Sequence, residues 1–206
     1  MNVNLQTVGG IDVSRETIVR LEALGALISK WTQSINLIAK GSVSEIWARH
    51  IEDSAQLFAY APSGWETWTD IGSGGGLPAL VIAAIDPDRR PLTLIESDQR
   101  KCLFLNTARR ELDLNITVIA GRIEAQQIEL ADIISARALA PLVDLLGFSE
   151  SLLKPDGTAL FPKGEKYQEE LDRAEIDWHF DVNTHPSTTH VDAKVLEISR
   201  IQRRER

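Results

Sequence analysis

The sequence predicts an α/β protein: an open, doubly wound, mostly parallel sheet with helices on both faces and an N-terminal helical extension. Three observations predict it. From residue 66 onward, short apolar runs such as "TLIES" and "DIISA" alternate with segments of helical periodicity, as in parallel strands covered on both faces by crossover helices. Before residue 66 the apolar residues recur at helical spacing. Three consecutive glycines, Gly74, Gly75 and Gly76, stand between the first apolar run and a helical segment, where sheets of this kind bind ligands.

The extension, residues 1–65, begins its first helix at Ser14, a good N-cap, with Glu16 in the first turn. Ile18, Leu21, Leu24, Ile28, Trp31 and Ile35 mark the buried face. A second helix is expected from about Ser42 or Ser44 to Phe58, broken by Pro and Gly in "APSGW". The main unit, residues 66–206, carries expected strands at Thr67–Ile71, Leu92–Glu96, Ile116–Ala120, Asp132–Ser135 and Thr158–Phe161. Expected helices lie at Leu77–Ile85, Arg100–Leu112, Leu142–Leu153 and Tyr167–Ala174. Two final strands are expected at Trp178–Asn183 and Lys194–Ile201. Ligands in such sheets sit beyond the C-terminal strand ends. That directs attention to Asp70–Gly76, Glu96–Ser97, Gly121–Glu124, Ser135–Arg137 and Pro162–Gly164.

With 206 residues and 43% hydrophobic content the chain can bury one sizeable core. It lacks an apolar run of membrane-spanning length and a secretory leader pattern, and its single cysteine, Cys102, has no disulfide partner. A cytoplasmic protein with no membrane partner and no metal is expected, and a monomer. The net charge of -8 argues against a general nucleic-acid binder, yet charge is segregated. Residues 165–181 hold seven acidic groups, whereas the tail holds Lys194, Arg200, Arg203, Arg204 and Arg206 against Glu197 and Glu205.

The glycine run makes sense as a place where a ligand approaches bare main chain and the free amides of the following helix, with Pro78 in its first turn. Two ligands fit. Gly74-x-Gly76-x-x-Ala79, with Glu96 about where a ribose-binding acid belongs, satisfies the dinucleotide pattern. A nicotinamide-dependent oxidoreductase is therefore one reading. The alternative starts from Asp70, just before Gly72-x-Gly74-x-Gly76. A carboxylate at the mouth of the site would repel a pyrophosphate but suits a ligand carrying an ammonium and a sulfonium, such as S-adenosylmethionine. Glu96 would then accept hydrogen bonds from the ribose hydroxyls.

Beyond the glycines, "DIGSGGGLPALVIA", "TLIESDQRKCLFL", "VIAGRIE", "DIISARALAPL" and "GTALFPKG" follow in order, preceded by "INLIAKGSVSEIWARHIEDSAQL" with Asn36, Arg49, His50, Asp53 and Ser54 at marked positions. Together they resemble the bacterial RsmG family, also called glucose-inhibited division protein B, from about Ile35 to Gly164. The resemblance implies a class I methyltransferase (Rossmann-like) fold with a mostly parallel seven-stranded sheet. It also implies S-adenosylmethionine as cofactor and N7 of a guanine in a loop of 16S ribosomal RNA, or the assembling small subunit, as substrate. Carried over residue by residue, Gly72 and Leu77 match cofactor-contacting positions. Ile123 and Glu124 match the pair beside the adenine, and Arg137 matches the arginine of the "SRA" motif, here with an alanine inserted. Glu96 stands where the family usually has aspartate. With Asp70, Gly74 and Gly76 these make the candidate cofactor set.

Guanine N7 carries a free lone pair and no proton, so no residue is expected to act as an acid or base; alignment in a dry pocket would supply the rate. Asn36, Arg49, His50, Arg100, Lys101 and Lys163 are the candidate RNA contacts. Arg49 and Asp53, four apart, also fit a surface ion pair. The basic tail, with Arg89, Arg90, Arg109 and Arg110, is a further candidate source of phosphate contacts. A third reading, a non-catalytic ribosome- or RNA-binding protein, shares these features without the transfer.

Overall fold

Residues 6–205, described by a computed structural model, open with a short hairpin, β1 (Gln6–Val8) and β2 (Ile11–Val13). Arg206, the last residue of the basic tail, lies outside the described residues. The hairpin departs from the all-helical expectation for the extension: two-residue "GG" at its tip takes positive φ at both positions, which suits a tight turn. Ser14 then caps α1 (Arg15–Thr32) as expected, its Oγ accepting the Thr17 N–H at 3.2 Å. The expected second helix is three pieces: a 3-10 stretch at Lys40–Glu45, a π-helical turn at Trp47–Glu52, and α2 (Asp53–Tyr60).

The remaining elements alternate as the apolar runs predict. They are β3 (Trp68–Ile71), α3 (Ala79–Ile85), β4 (Leu92–Glu96), α4 (Gln99–Glu111), β5 (Ile116–Ala120), β6 (Ala131–Ser135), α5 (Leu142–Leu152), β7 (Leu153–Lys163), α6 (Tyr167–Ala174), β8 (Trp178–Pro186) and β9 (Lys194–Arg203). Seven strands form one sheet in the order β5-β4-β3-β6-β7-β9-β8. β3 to β7 run parallel, and β9 inserts antiparallel between β7 and β8. The central neighbours are β3 and β6, from which the chain departs toward opposite edges. Their C-terminal ends form the topological switch point where such sheets hold ligands.

The extension is part of the core. Leu21, Leu24 and Ile28 of α1 are fully buried in one cluster with Leu80 and Ile82 of α3 and Phe104 of α4. Each such side chain contributes about 1.5–3 kcal/mol by leaving water. Trp31 meets Phe104 edge-on at 5.6 Å. Arg90 lies 3.7 Å over the Trp65 ring while its guanidinium holds the buried Asp86 at 2.6 Å, fixing the connection between extension and sheet. Cys102, expected in the core, is buried, its thiol donating to the Glu96 carbonyl.

Candidate active site

The glycine loop follows β3 directly. Gly72, Gly74 and Gly76 all take positive φ. A Cβ on Gly74 would have only the Gly72 carbonyl near it, at 3.7 Å, so that position is open space kept by backbone dihedral rather than by crowding. At Gly75 the reason is a close approach: a Cβ there would sit 2.8 Å from the Leu37 carbonyl oxygen, so the extension is laid against the loop's main chain.

The loop is pinned by the protein itself. Ser73 N–H donates to the Ile95 carbonyl, Gly76 N–H to the Ser73 carbonyl, and Gly74 N–H to Glu96 Oε2 at 2.7 Å. α3 starts at Ala79, two residues later than expected, with Pro78 before it. Three amides of the loop are thus already engaged, and one of them is engaged by a carboxylate.

Beyond these strand ends lies a cleft of about 460 Å³. Its walls include Gly72, Gly74, Leu77, Glu96, Ile123, Glu124 and Arg137 from the candidate cofactor set, and Lys101 from the candidate RNA set. Glu96 is buried, and its second oxygen accepts the Asp98 N–H at 2.7 Å. Each oxygen therefore keeps a lone pair for a donor in the cleft. Asp70 and Gly76 do not line it. Asp70, expected at the mouth, is 1% exposed behind the wall, where Ser135 donates to its Oδ1 at 2.6 Å and Trp68 donates to Ser135 Oγ at 2.8 Å. Its Oδ2 is buried without a partner among the described residues. Burial raises the Asp70 pKa to about 6, against the lowering effect of the Ser135 and Ser73 hydrogen bonds and the Arg137 charge.

A second cleft of about 520 Å³ adjoins the first. The two share one wall, Arg137 to Ala140, and the second adds Asp53, Pro162, Lys163, Glu170 and Ala193. Lys163 is held by Glu170 at 2.7 Å and by the Ala140 carbonyl at 3.1 Å. Arg137, whose side chain is 18% exposed, donates to Asp53 Oδ2 at 3.3 Å and to His50 Nδ1 at 3.1 Å. Burial lowers the Arg137 pKa from the ordinary arginine value and Asp53 raises it again; the group stays charged. With Nδ1 accepting from Arg137, His50 carries its proton on Nε2, which faces Ser42 Oγ at 2.7 Å.

The other candidate RNA residues are more scattered. Asn36 is exposed and lines neither cleft. Arg49 is exposed and pairs with Glu45, not with Asp53. Arg100 is exposed at the N-terminal end of α4 and paired with Asp98. Sequence reasoning missed Leu37, Leu139 and Phe148 in the cofactor-sized cleft; each is an apolar residue whose local pattern reads simply as core.

The basic tail lies elsewhere. β7 and β9 pair Lys163 with Lys194 and Thr158 with Ser199. The ten-residue β9 therefore carries Arg203 to the opposite edge of the sheet, about 30 Å from the clefts at strand rise. Arg204 is tied there to the Trp178 carbonyl. Arg89 and Arg90, before β4, and Arg109 and Arg110, at the C-terminal end of α4, belong to that same edge. The described residues contain no helix long and apolar enough to cross a membrane and no cluster of His, Cys, Asp or Glu that could hold a metal.

Solved structures with this fold include a ribosomal protein L11 methylase from Lactobacillus delbrueckii subsp. bulgaricus, at TM-score 0.59 and 19% identity, covering 74% of this chain and 78% of that one. A glycopeptide N-methyltransferase, MtfA, complexed with S-adenosyl-L-methionine, matches at TM-score 0.59 and 11% identity over 73% of this chain and 93% of that one. These show the class I methyltransferase fold. Sequence relatives are much closer. The ribosomal RNA small subunit methyltransferase G of Cereibacter sphaeroides is 47% identical over 191 residues, 91% of this chain and 92% of its own. That of Gluconobacter oxydans is 48% identical over 191 residues, 93% and 97% of the two chains. The family model for GidB, rRNA small subunit methyltransferase G, matches residues 17–199. The "RHIEDS" and "SARAL" blocks, the pinned glycine loop and the match over most of the chain together place this chain in the rRNA small subunit methyltransferase G (GidB) family.

Proposed function

We propose that the protein transfers a methyl group from S-adenosylmethionine to N7 of a guanine in 16S ribosomal RNA. The observation that carries this reading is the pair of clefts sharing the Arg137–Ala140 wall: one the size of a cofactor, the other open beside it. The residues present fit the cofactor. Glu96 keeps one acceptor site on each oxygen for a vicinal diol, and Ile123 and Glu124 flank the same cleft. A pyrophosphate would meet the Glu96 carboxylate where it needs the Gly74 amide, which weighs against the nicotinamide reading.

When bound, S-adenosylmethionine supplies an electrophilic methyl on a sulfonium. The chain's own work is to align and to exclude water. Leu37, Leu77, Leu139 and Phe148 give the cleft an apolar lining. The attacking N7 has a free lone pair, so no side chain removes a proton. The positive charge passes from sulfur to the purine, so no oxyanion-type site is required. The guanine N7 edge is closed off within an A-form RNA helix, so the target base comes from a loop or is turned out of the stack. Lys163 and Arg137 border the second cleft, and Arg100, Lys101 and Arg122 sit at the same sheet edge.

The far placement of the tail leaves few cations at that edge on a chain of net charge -8. An assembling small subunit, which presents its own folded RNA, is therefore the better substrate, and a monomer working where ribosomes are built, in the cytoplasm, suffices. Titration calorimetry should show binding of S-adenosylmethionine and none of NAD; the reverse result restores the oxidoreductase reading. Labelled methyl should pass to small subunits faster than to naked 16S transcripts. Equal rates overturn the subunit preference, and binding without any transfer favours the non-catalytic alternative.

A further inference from the structure

Asp53 sits where three parts of the chain converge. From the loop that follows β6, Arg137 donates to its Oδ2 at 3.3 Å. From the loop between β8 and β9, Thr189 Oγ1 donates to its Oδ1 at 2.7 Å. From α2, Gln56 Nε2 donates to the same oxygen at 2.9 Å. Gln56 also accepts the Thr188 N–H at 2.9 Å, and Tyr60 donates to the Pro186 carbonyl at 2.9 Å. The extension is thus stitched to the β8–β9 loop, and that loop contributes Ala193 to the second cleft. The tip of the loop is open, with His190, Val191 and Asp192 exposed.

Arg137 is the residue common to both clefts that carries charge. A guanidinium is long and free to adopt several rotamers unless its donors are fixed. Asp53 takes one terminal nitrogen and His50 the other, and His50 is itself fixed through Ser42, whose hydroxyl donates to the Ala39 carbonyl at 2.8 Å. Both anchors come from the extension, not from the loop after β6 that carries Arg137. Thr189 and Gln56 fill the acceptor sites of Asp53 that Arg137 leaves, and Thr189 does so from a surface-reaching loop.

We infer that Asp53 is a positioning residue for Arg137: it sets the guanidinium on the wall between the clefts, and through Thr189 it makes that setting depend on the β8–β9 loop beside the second cleft. RNA held against the loop and cofactor held against Arg137 then favour each other, and such coupling is reciprocal. The inference rests on the methyl-transfer reading above.

Cofactor affinity, measured on the enzyme without RNA, and transfer kinetics on small subunits test it together. Asp53→Asn keeps the shape but removes the charge. It should weaken S-adenosylmethionine binding and lower kcat, each by about tenfold, as expected when one charge-assisted hydrogen bond is removed. Thr189→Val, which removes one donor to Asp53 but leaves its charge, should weaken S-adenosylmethionine binding by the RNA-free enzyme less than Asp53→Asn does. It should lower kcat/KM for small subunits by about fivefold, the low end of typical couplings. A purely structural Asp53 would lower the melting temperature while leaving the affinity and kcat of the folded fraction at wild-type values, and that result overturns the inference. Should Asp53→Asn fail to fold, Thr189→Val decides: wild-type kcat/KM on subunits overturns it. Wild-type enzyme that binds no S-adenosylmethionine and transfers no methyl would instead sink the functional reading on which the inference stands.

Discussion

Glu96 Oε2 accepts the backbone N–H of Gly74 at 2.7 Å, so the acid ending one strand braces the glycine loop that follows its neighbour. One side chain both shapes the cleft beyond the strand ends and offers it acceptors. Glu96→Ala should therefore lower S-adenosylmethionine affinity by about 100-fold, close to 3 kcal/mol for two hydrogen bonds to a charged group. Glu96→Asp, one methylene shorter, should recover only part of this, because the Gly74 and Asp98 amides are spaced for the longer chain. Calorimetry on both variants checks it; equal affinity for Glu96→Asp and wild type would mean the loop follows the carboxylate.

Gly74 lies at φ +55 with open space where a Cβ would go. Gly74→Val should abolish cofactor binding, since a branched side chain enters the cleft, and should cost about 1–2 kcal/mol of stability from the left-handed backbone. Binding and urea unfolding measured on the same preparation separate the two effects. Wild-type affinity would remove Gly74 from the site.

His50 and Asp70 act in opposite directions on acid stability. Burial, with the Arg137 charge second, pulls His50 from 6.5 down to about 4. Between those values the unfolded chain binds the proton and the folded protein does not, so stability falls as the pH drops through the window. Asp70 is raised from 3.8 to about 6, so its burial cost is present above about 6 and is relieved on acidification. Replacing His50 by Asn, whose amide oxygen still accepts from Arg137, should flatten the loss of stability below pH 6.5. Asp70→Asn should steepen it. Unfolding free energies across that range test this, and parallel profiles for all three proteins would contradict it.

The edge of the sheet decides which cations meet RNA. Arg100→Ala with Lys101→Ala should reduce the slope of log affinity against log salt by about 1–2, one for each phosphate no longer neutralised. Arg203→Ala with Arg204→Ala should leave it unchanged, because those residues sit at the far edge beside Trp178. A changed slope for the tail pair would place RNA on the other side of the molecule.

The sheet was legible because buried parallel strands announce themselves as apolar runs: "TLIES" became β4 and "DIISA" β6 within a residue. The strand-end rule then located most of the cleft. What sequence did not reveal is long-range. Thr189 meets Asp53 across 136 residues, and no local pattern records such a pairing. The surface ion pair that Arg49 and Asp53 also fitted by spacing does not form, for a geometric reason. Arg49 lies within a π-helical turn that ends at Glu52, which adds a residue to the turn and moves Asp53 off the row of Arg49. That shift leaves Arg49 to Glu45 and delivers Asp53 to Arg137. The hairpin of residues 6–13 escaped because each strand has only three residues, too few to show a period. The tail looked useful by composition alone; only the antiparallel register of β9 shows which way it points.

Transfer of a methyl group across the Arg137–Ala140 wall to a purine nitrogen is the central claim. The direct measurement is incubation of the wild-type protein with unmodified small subunits and S-adenosylmethionine carrying a labelled methyl, followed by base-resolved mapping of the product. The predicted result is label on a single guanine of 16S ribosomal RNA, at N7, and none on ribosomal protein. Label on another atom or on protein, or no transfer to either subunits or naked RNA by enzyme that binds the cofactor, would contradict it.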